Sequence, residues 1–404
     1  MERALAELGD PHRRYRTLHV GGTNGKGSVA STWASVLGRS GQRTGLYTSP
    51  HLCSFGERIV VDGAPIQTDA LLRHAKAVGP LVDALGLSFF EAATLLAFHV
   101  FAEEGVAVAA IEVGLGGRLD ATNVVDPQVT AITNVALDHQ EYLGGTLMDI
   151  AGEKAGIIKT GVPTVSAEGR PGVLDVFRRR AAEVGAPFHR IDPWRDITEL
   201  QLGNDGTRFR IHTETWGPLT LETPLLGAHQ ATNAALAVRA LEFTDPIPSK
   251  EDVLEGVANV RWPGRVQVRR RGDTFWIFDV AHNTAGVRAL SRVLADLSPP
   301  RPLVVLVGIL GDKDWPRMLP PLVDLADRVV FTNPASAPAG RSRDPATVAA
   351  TVQDGTPIEV EPDIGRAVDR VGVLAEGGTA VVAGSCYTVG DSLQILGFTP
   401  YAVS

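Results

Sequence analysis

Between positions 19 and 28 the chain reads His-Val-Gly-Gly-Thr-Asn-Gly-Lys-Gly-Ser. The glycines let the backbone turn with its N–H groups pointing inward. The helical spacing of Val29, Trp33, Val36 and Leu37 places a helix N-terminus beside them, and Lys26 adds a formal positive charge. That is a cradle for phosphates. It departs from the general phosphate-loop pattern, because Val20 stands where the first glycine would fall and Gly27 separates Lys26 from Ser28. A plain strand-to-helix turn would explain the glycines, but it has no need of Lys26 and Ser28 together. Other polar groups gather where apolar runs end: Ser49 after Gly45–Thr48, Glu112 after Val106–Ile111, and Asp138-His139 after Val129–Val135. Singly, Glu112 reads as a solvated strand-end carboxylate and His139 as a loop or capping histidine. Together with a triphosphate loop upstream, they make a candidate site for a hard metal ion. Asp279-Val-Ala-His-Asn283 and Gly384-Ser-Cys-Tyr-Thr388 sit where later strands turn into helices, and helix capping competes with ligand binding at each.

These residues need a scaffold that brings strand ends together, and the hydropathy pattern supplies one. Short apolar runs alternate with helical periodicities over Leu71–Leu85, Glu91–Phe101, Thr146–Ile158 and Gly172–Val184. The run Val106–Ile111 is continuous, as in a parallel strand covered on both faces. In such a sheet, ligands bind beyond the carboxyl ends of the strands, so Lys26, Ser49, Glu112 and His139 should converge on one crevice. Residues Ile191–Thr223 change to short alternating segments around Asn204-Asp205-Gly206, which predicts a small antiparallel appendage. Arg261-Trp-Pro-Gly-Arg265 interrupts the pattern, and strands and helices restart after it. The expected organisation is an α/β ATP-binding domain over residues 1–262, followed by a smaller Rossmann-like α/β domain over 263–404. The stretch 333–340 reads as a flexible loop, and Arg178-Arg179-Arg180 as a solvated helix face.

Composition narrows the function. The 404 residues exceed the size of a single core, and 44% hydrophobic with 21% charged residues is ordinary for a globular chain. A net charge of −8 without a clustered basic face argues against nucleic acid. No apolar run approaches a membrane span, and the acidic first residues do not resemble a leader peptide. Two cysteines, Cys53 and Cys386, make no disulfide framework and suit a reducing compartment, so a cytoplasmic monomer is the expectation.

Taken together, Gly22–Ser28, Thr48-Ser-Pro-His-Leu52, Glu112–Asn123, Asp138-His139, Glu153-Lys-Ala-Gly-Ile157, Pro263-Gly-Arg265 and Asp279–Asn283 resemble the folylpolyglutamate synthase and dihydrofolate synthase family, relatives of the Mur ligases. The resemblance spans nearly the whole chain. It implies a Mur-ligase-like P-loop domain in which Gly22, Thr23, Asn24, Gly25, Lys26, Gly27 and Ser28 hold the ATP phosphates. Asn233, Arg265, Asp279 and His282 would bind the nucleotide from across the domain cleft. It further implies two magnesium ions, one on Ser49 and Glu112 and one shared by Glu112, His139 and Lys154, with a monovalent cation as a possible companion. Lys154 would serve as a carbamate, since an ammonium cannot ligate a cation. Lys26, Glu112, His139 and Lys154 are then the catalytic set. For a pteroate or folate, the resemblance points to Ser88, Phe89, Phe90 and Glu91 and to Leu119, Asp120 and Ala121, although core packing would also account for the phenylalanines. The implied reaction couples L-glutamate to that acid through an acyl phosphate, as a step of folate biosynthesis and one-carbon metabolism. A Mur-type ligase of cell-wall precursors and a P-loop phosphotransferase are the competing readings.

Overall fold

The computed structural model describes residues 1–401 except 312, 339, 353 and 354. Position 339 of the expected 333–340 loop therefore lies outside the described residues. Among the described residues, seventeen strands form three sheets. The first is eight-stranded and is built from β1 (Arg16–Gly21), β2 (Thr44–Tyr47), β3 (Ile59–Val61), β4 (Ala64–Pro65), β5 (Val108–Glu112), β6 (Val129–Ile132), β7 (Thr164–Ser166) and β8 (Phe188–Arg190). Their order is β4-β3-β2-β5-β1-β6-β7-β8, parallel except for the β3 and β4 edge. Strand β1, which delivers the glycine loop, is thus flanked by β5 and β6, which deliver Glu112 and Asp138-His139. All five residues of β5 are buried, as its unbroken apolar run requires.

Helices cover both faces. The Lys26–Arg39 helix begins inside the glycine loop and packs on the Ala228–Leu241 and Lys250–Ala258 helices. Trp33 is fully buried there, and its ring N–H donates to the Ala237 carbonyl at 3.0 Å. On the other face, the Phe89–Glu103 helix is apolar nearly all round and buries Leu95, Phe98 and Phe101. The expected appendage is a three-stranded antiparallel sheet of β9 (Ile197–Gly203), β10 (Gly206–Thr213) and β11 (Gly217–Thr223), turning at Asn204-Asp205. Its burial alternates along β10 and β11, with Phe209, Ile211, Leu219 and Leu221 inward.

The third sheet has six strands: β12 (Gln267–Arg271), β13 (Thr274–Phe278), β14 (Leu303–Val307), β15 (Arg328–Asn333), β16 (Ile358–Asp363) and β17 (Thr379–Ala383). The order β12-β13-β17-β14-β15-β16 is parallel apart from the antiparallel β12–β13 pair. Two details correct the sequence reading. Strands β12 and β16 were not expected, because their charged edge sequences do not carry an apolar run. Asp314 begins a helical stretch by sequence, but the structure breaks it into two short pieces, Trp315–Met318 and Pro320–Val323, because Pro320 and Pro321 donate no N–H to the preceding turn. Among the described residues no helix is long and apolar enough to cross a membrane.

Candidate active site

The glycine loop owes its shape to contacts that leave no room for side chains. A Cβ on Gly22, at φ +136°, would lie 1.8 Å from Thr133 Oγ1, and one on Gly25, at φ +89°, 2.4 Å from Asn233 Oδ1. Gly27 takes a helical conformation, but a Cβ there would meet the Trp262 ring at 2.3 Å. The loop is therefore pressed between β6, the Ala228–Leu241 helix and the segment entering the third sheet. Lys26 Nζ donates to the Thr23 carbonyl at 3.1 Å and lies 3.9 Å from Glu112 Oε1. Ser28 Oγ is buried with no hydrogen-bond partner. A buried hydroxyl without a partner costs free energy, and at the mouth of a phosphate cradle it is a waiting ligand contact.

Glu112 is buried at the end of β5. One of its oxygens accepts from the Ser49 backbone N–H at 3.2 Å. Burial raises its pKa, opposed by Lys26 and the Ser49 N–H. Lys154, on the Leu147–Ala155 helix, is 3% exposed and donates to the Gly22 carbonyl at 2.9 Å. Burial first, then the charge of Lys26, pulls its pKa down to about 7, so an appreciable fraction is the neutral amine near neutral pH. His139 takes a left-handed backbone conformation, φ +50°, at the start of a short helix. Burial lowers its pKa to about 4, which leaves a neutral imidazole able to act as a ligand.

Across the cleft, Arg265 is half-buried with its guanidinium 5.5 Å from the centre of the Trp262 ring. Asp279 accepts from the backbone N–H groups of Val266 at 2.9 Å and Ala281 at 2.8 Å, which pins the turn that carries Arg265. The two halves also meet directly. Asp138 accepts from Lys313 Nζ at 2.9 Å and from Asn283 Nδ2 at 3.0 Å, while Asn283 and Asn24 exchange side-chain hydrogen bonds at 2.9 and 3.3 Å. His282 Nε2 stands 3.6 Å from the same carboxylate. Burial would raise the pKa of Asp138, but His282, Lys313 and His139 outweigh it and hold the carboxylate ionised.

At the far end, Ser88 and Glu91 form a capping box on the Phe89–Glu103 helix, Phe89 is 66% exposed, and Leu119 is 79% exposed. Asp120 accepts from Leu115 N at 2.8 Å, Thr122 N at 2.9 Å and Thr122 Oγ1 at 2.5 Å. Arg58 Cζ lies 5.5 Å from the Phe89 ring centre and 5.7 Å from that of Phe55.

Most of these groups surround one cavity of about 1520 Å³, lined by the phosphate loop, Ser49, Ser88–Glu91, Glu112, Leu119–Ala121, His139, Lys154, Asn233, Arg265, Asp279 and His282, whereas Asn283 stands behind its wall. Among the described residues, no cluster of three His, Cys, Asp or Glu side chains makes a metal site by itself. The sequence reading assigned no role to Asp138, Asn283, Lys313, Trp262 or Arg58, although the first two lie inside quoted motifs. Lys313 follows the run Leu303–Leu310 as the first basic residue, a position that signals a strand-end ligand group.

Comparison with known proteins points the same way. Residues 20–241 match the Mur ligase middle domain, and residues 264–386 the Mur ligase glutamate ligase domain. The chain is 36% identical to a Bacillus subtilis dihydrofolate synthase/folylpolyglutamate synthase over 82% of this chain and 80% of that protein. It is 35% identical to the Mycobacterium tuberculosis protein of the same description, over 97% and 88%. A crystal structure of M. tuberculosis folylpolyglutamate synthase complexed with ADP and AMPPCP superposes with a TM-score of 0.92 at 33% identity, covering 99% of this chain and 95% of that one. E. coli FolC in complex with DHPP and ADP superposes with a TM-score of 0.86 at 29% identity, covering 98% and 91%.

Proposed function

The chain belongs to the folylpolyglutamate synthase and dihydrofolate synthase family of the Mur ligases, and from that premise we propose that it joins L-glutamate to dihydropteroate, to folyl-glutamates, or to both, at the cost of ATP. It is an ATP-dependent glutamate ligase. The observation that carries the finer reading is the single cavity, which joins a phosphate cradle, a buried carboxylate and lysine, and a far wall of Phe89, Leu119 and Asp120 wide enough for a flat acid.

The acid's carboxylate attacks the γ-phosphorus of ATP, ADP departs, and an acyl phosphate remains. The amine of glutamate then attacks the acyl carbon and phosphate leaves, giving an amide. Gly22–Ser28 bind the phosphates and Lys26 swings from Thr23 to the transferring group, where its charge stabilises what builds up in the transition state. Arg265, Asp279 and His282 close on the nucleotide from the other side and exclude water, so that the acyl phosphate meets an amine instead, while Asn233, expected from across the cleft, sits on the first half against Gly25 of the phosphate loop. The residues fit magnesium only if Lys154 is carbamylated: the neutral amine adds to carbon dioxide, releases a proton, and becomes an oxygen ligand beside Ser49, Glu112 and His139. Magnesium held there would neutralise the phosphate oxygens and fix the line of attack.

The test is ADP release with the acid and glutamate supplied separately and together, with product masses read for dihydropteroate and for tetrahydrofolate. ADP release over many turnovers only with both substrates, and a mass gain of one glutamate, is the expected result. Sustained turnover of ATP with glutamate alone, or with the acid alone to a stable phosphorylated product, would indicate a phosphotransferase.

A further inference from the structure

Asp120 faces the cavity, but what holds it lies behind it, in the centre of the first sheet. His19 is in β1, fully buried, and its Nε2 is 2.9 Å from Thr122 Oγ1. Thr122, also fully buried, places the same hydroxyl 2.5 Å from Asp120 Oδ1 and its backbone N–H 2.9 Å from that oxygen. The second carboxylate oxygen takes the Leu115 N–H at 2.8 Å.

The direction of this chain follows from donor counting. A carboxylate can only accept, so the Thr122 hydroxyl donates to it and must accept from behind. His19 therefore donates from Nε2–H, leaving Nδ1 as a bare lone pair. Nδ1 is the buried ring atom that has no partner. A lone pair without a partner is a smaller loss than a buried N–H without one, so the orphan atom agrees with the assignment. Burial drives the His19 pKa down to about 3, which keeps the ring neutral with one N–H to give.

We propose that His19 and Thr122 are positioning residues: a buried chain, His19 Nε2–H to Thr122 Oγ1–H to Asp120 Oδ1, locks the Asp120 carboxylate as the acceptor for the N–H edge of the flat acid in the cavity. This rests on the acceptor assigned above. Two donors on Oδ1 fix the carboxylate plane, and the backbone N–H groups of Leu115 and Gly114 add to its hold. Burial raises the Asp120 pKa, opposed first by the Thr122 hydroxyl and then by these backbone donors, so removing the hydroxyl moves the group further toward the acid, which offers a donor where the ligand also offers one.

The test uses the full chain with Thr122→Val, which keeps shape and removes the hydroxyl, and Thr122→Ser, which restores it. Titration of dihydropteroate by calorimetry should weaken about tenfold in Thr122→Val, as expected for losing a hydrogen bond to a charged group, and recover in Thr122→Ser. The KM for ATP should stay within about twofold of the parent. Equal affinity in all three proteins, or a Thr122→Ser protein as impaired as Thr122→Val, overturns the proposal. The ¹⁵N shifts of His19 check the chain without any ligand: Nε2–H with a bare Nδ1 is expected, and the opposite tautomer overturns it. If the parent keeps that tautomer yet does not bind dihydropteroate, the acceptor reading fails and, with it, the ligand role of the chain.

Discussion

Lys154 has three physical properties that belong together: burial, a cationic neighbour in Lys26, and a hydrogen bond to the glycine loop through the Gly22 carbonyl. Its pKa near 7 makes it a nucleophile for carbon dioxide without any base to assist it. The motif Glu153-Lys-Ala-Gly marked the residue in the sequence, but its burial and its bond to Gly22, 132 positions away, are products of folding. The same holds for Ser88 and Glu91, where the family resemblance implied a binding surface and the folded helix also uses both as its cap. We expect Lys154→Ala to fold and to lose about 100-fold or more in turnover, with short carboxylates such as formate restoring part of it. Enzyme equilibrated with ¹³C-bicarbonate and magnesium should show a carbamate resonance that Lys154→Ala lacks. A fully active enzyme without that resonance would exclude the modification.

At the scale of elements, the strands that position the site were legible because they are buried along their whole length: β14 is an unbroken apolar run, β5 is one up to Glu112, and β6 and β17 admit only a threonine each. The edge strands were not, since β12 reads Gln-Val-Arg-Arg-Arg and β16 Ile-Glu-Val-Glu-Pro-Asp, and at an edge only one side chain in two needs to be apolar. Helix packing was also invisible to a single-sequence reading. The Lys26–Arg39 helix sits against the Lys250–Ala258 helix so closely that a Cβ on Gly256 would lie 2.4 Å from Val36 Cα. Backbone cannot move aside as a side chain can, so Gly256→Ala must push the two helices apart. We expect a loss of about 1–3 kcal/mol in unfolding free energy, read from denaturant midpoints, with the KM for ATP changed little because the loop end of the helix is held independently by Trp262 and Asn233. An unchanged midpoint would mean that the helices pack more loosely than the structure describes.

For the molecule as a whole, the question is what keeps its two α/β halves closed over a cavity of about 1520 Å³. Each half supplies what the other lacks: the first brings the phosphate cradle, the second Arg265 and Asp279, and reaction requires both at once. One direct link is Asp138, which receives Lys313, Asn283 and His282 from the second half, while Asn283 also ties to Asn24 in the phosphate loop; a second joins Cys53 to Gly390 and Gln394. The Asp138 and Lys313 side chains are 9% and 8% exposed, so the pair is desolvated and breaking it leaves a buried charge with weaker compensation. The cheapest relief for such a charge is water, and water enters if the halves part. Asp138→Asn and Lys313→Met should therefore both enlarge the radius of gyration measured by small-angle scattering and lower kcat by about tenfold or more, with far-UV dichroism unchanged. Asp138 adjoins His139, so a fall in kcat in that variant alone could reflect disturbance of the metal site, whereas Lys313 lies on the opposite half. Opening in both variants assigns the contact to domain closure; scattering profiles identical to the parent in both would show that other contacts hold the cleft shut.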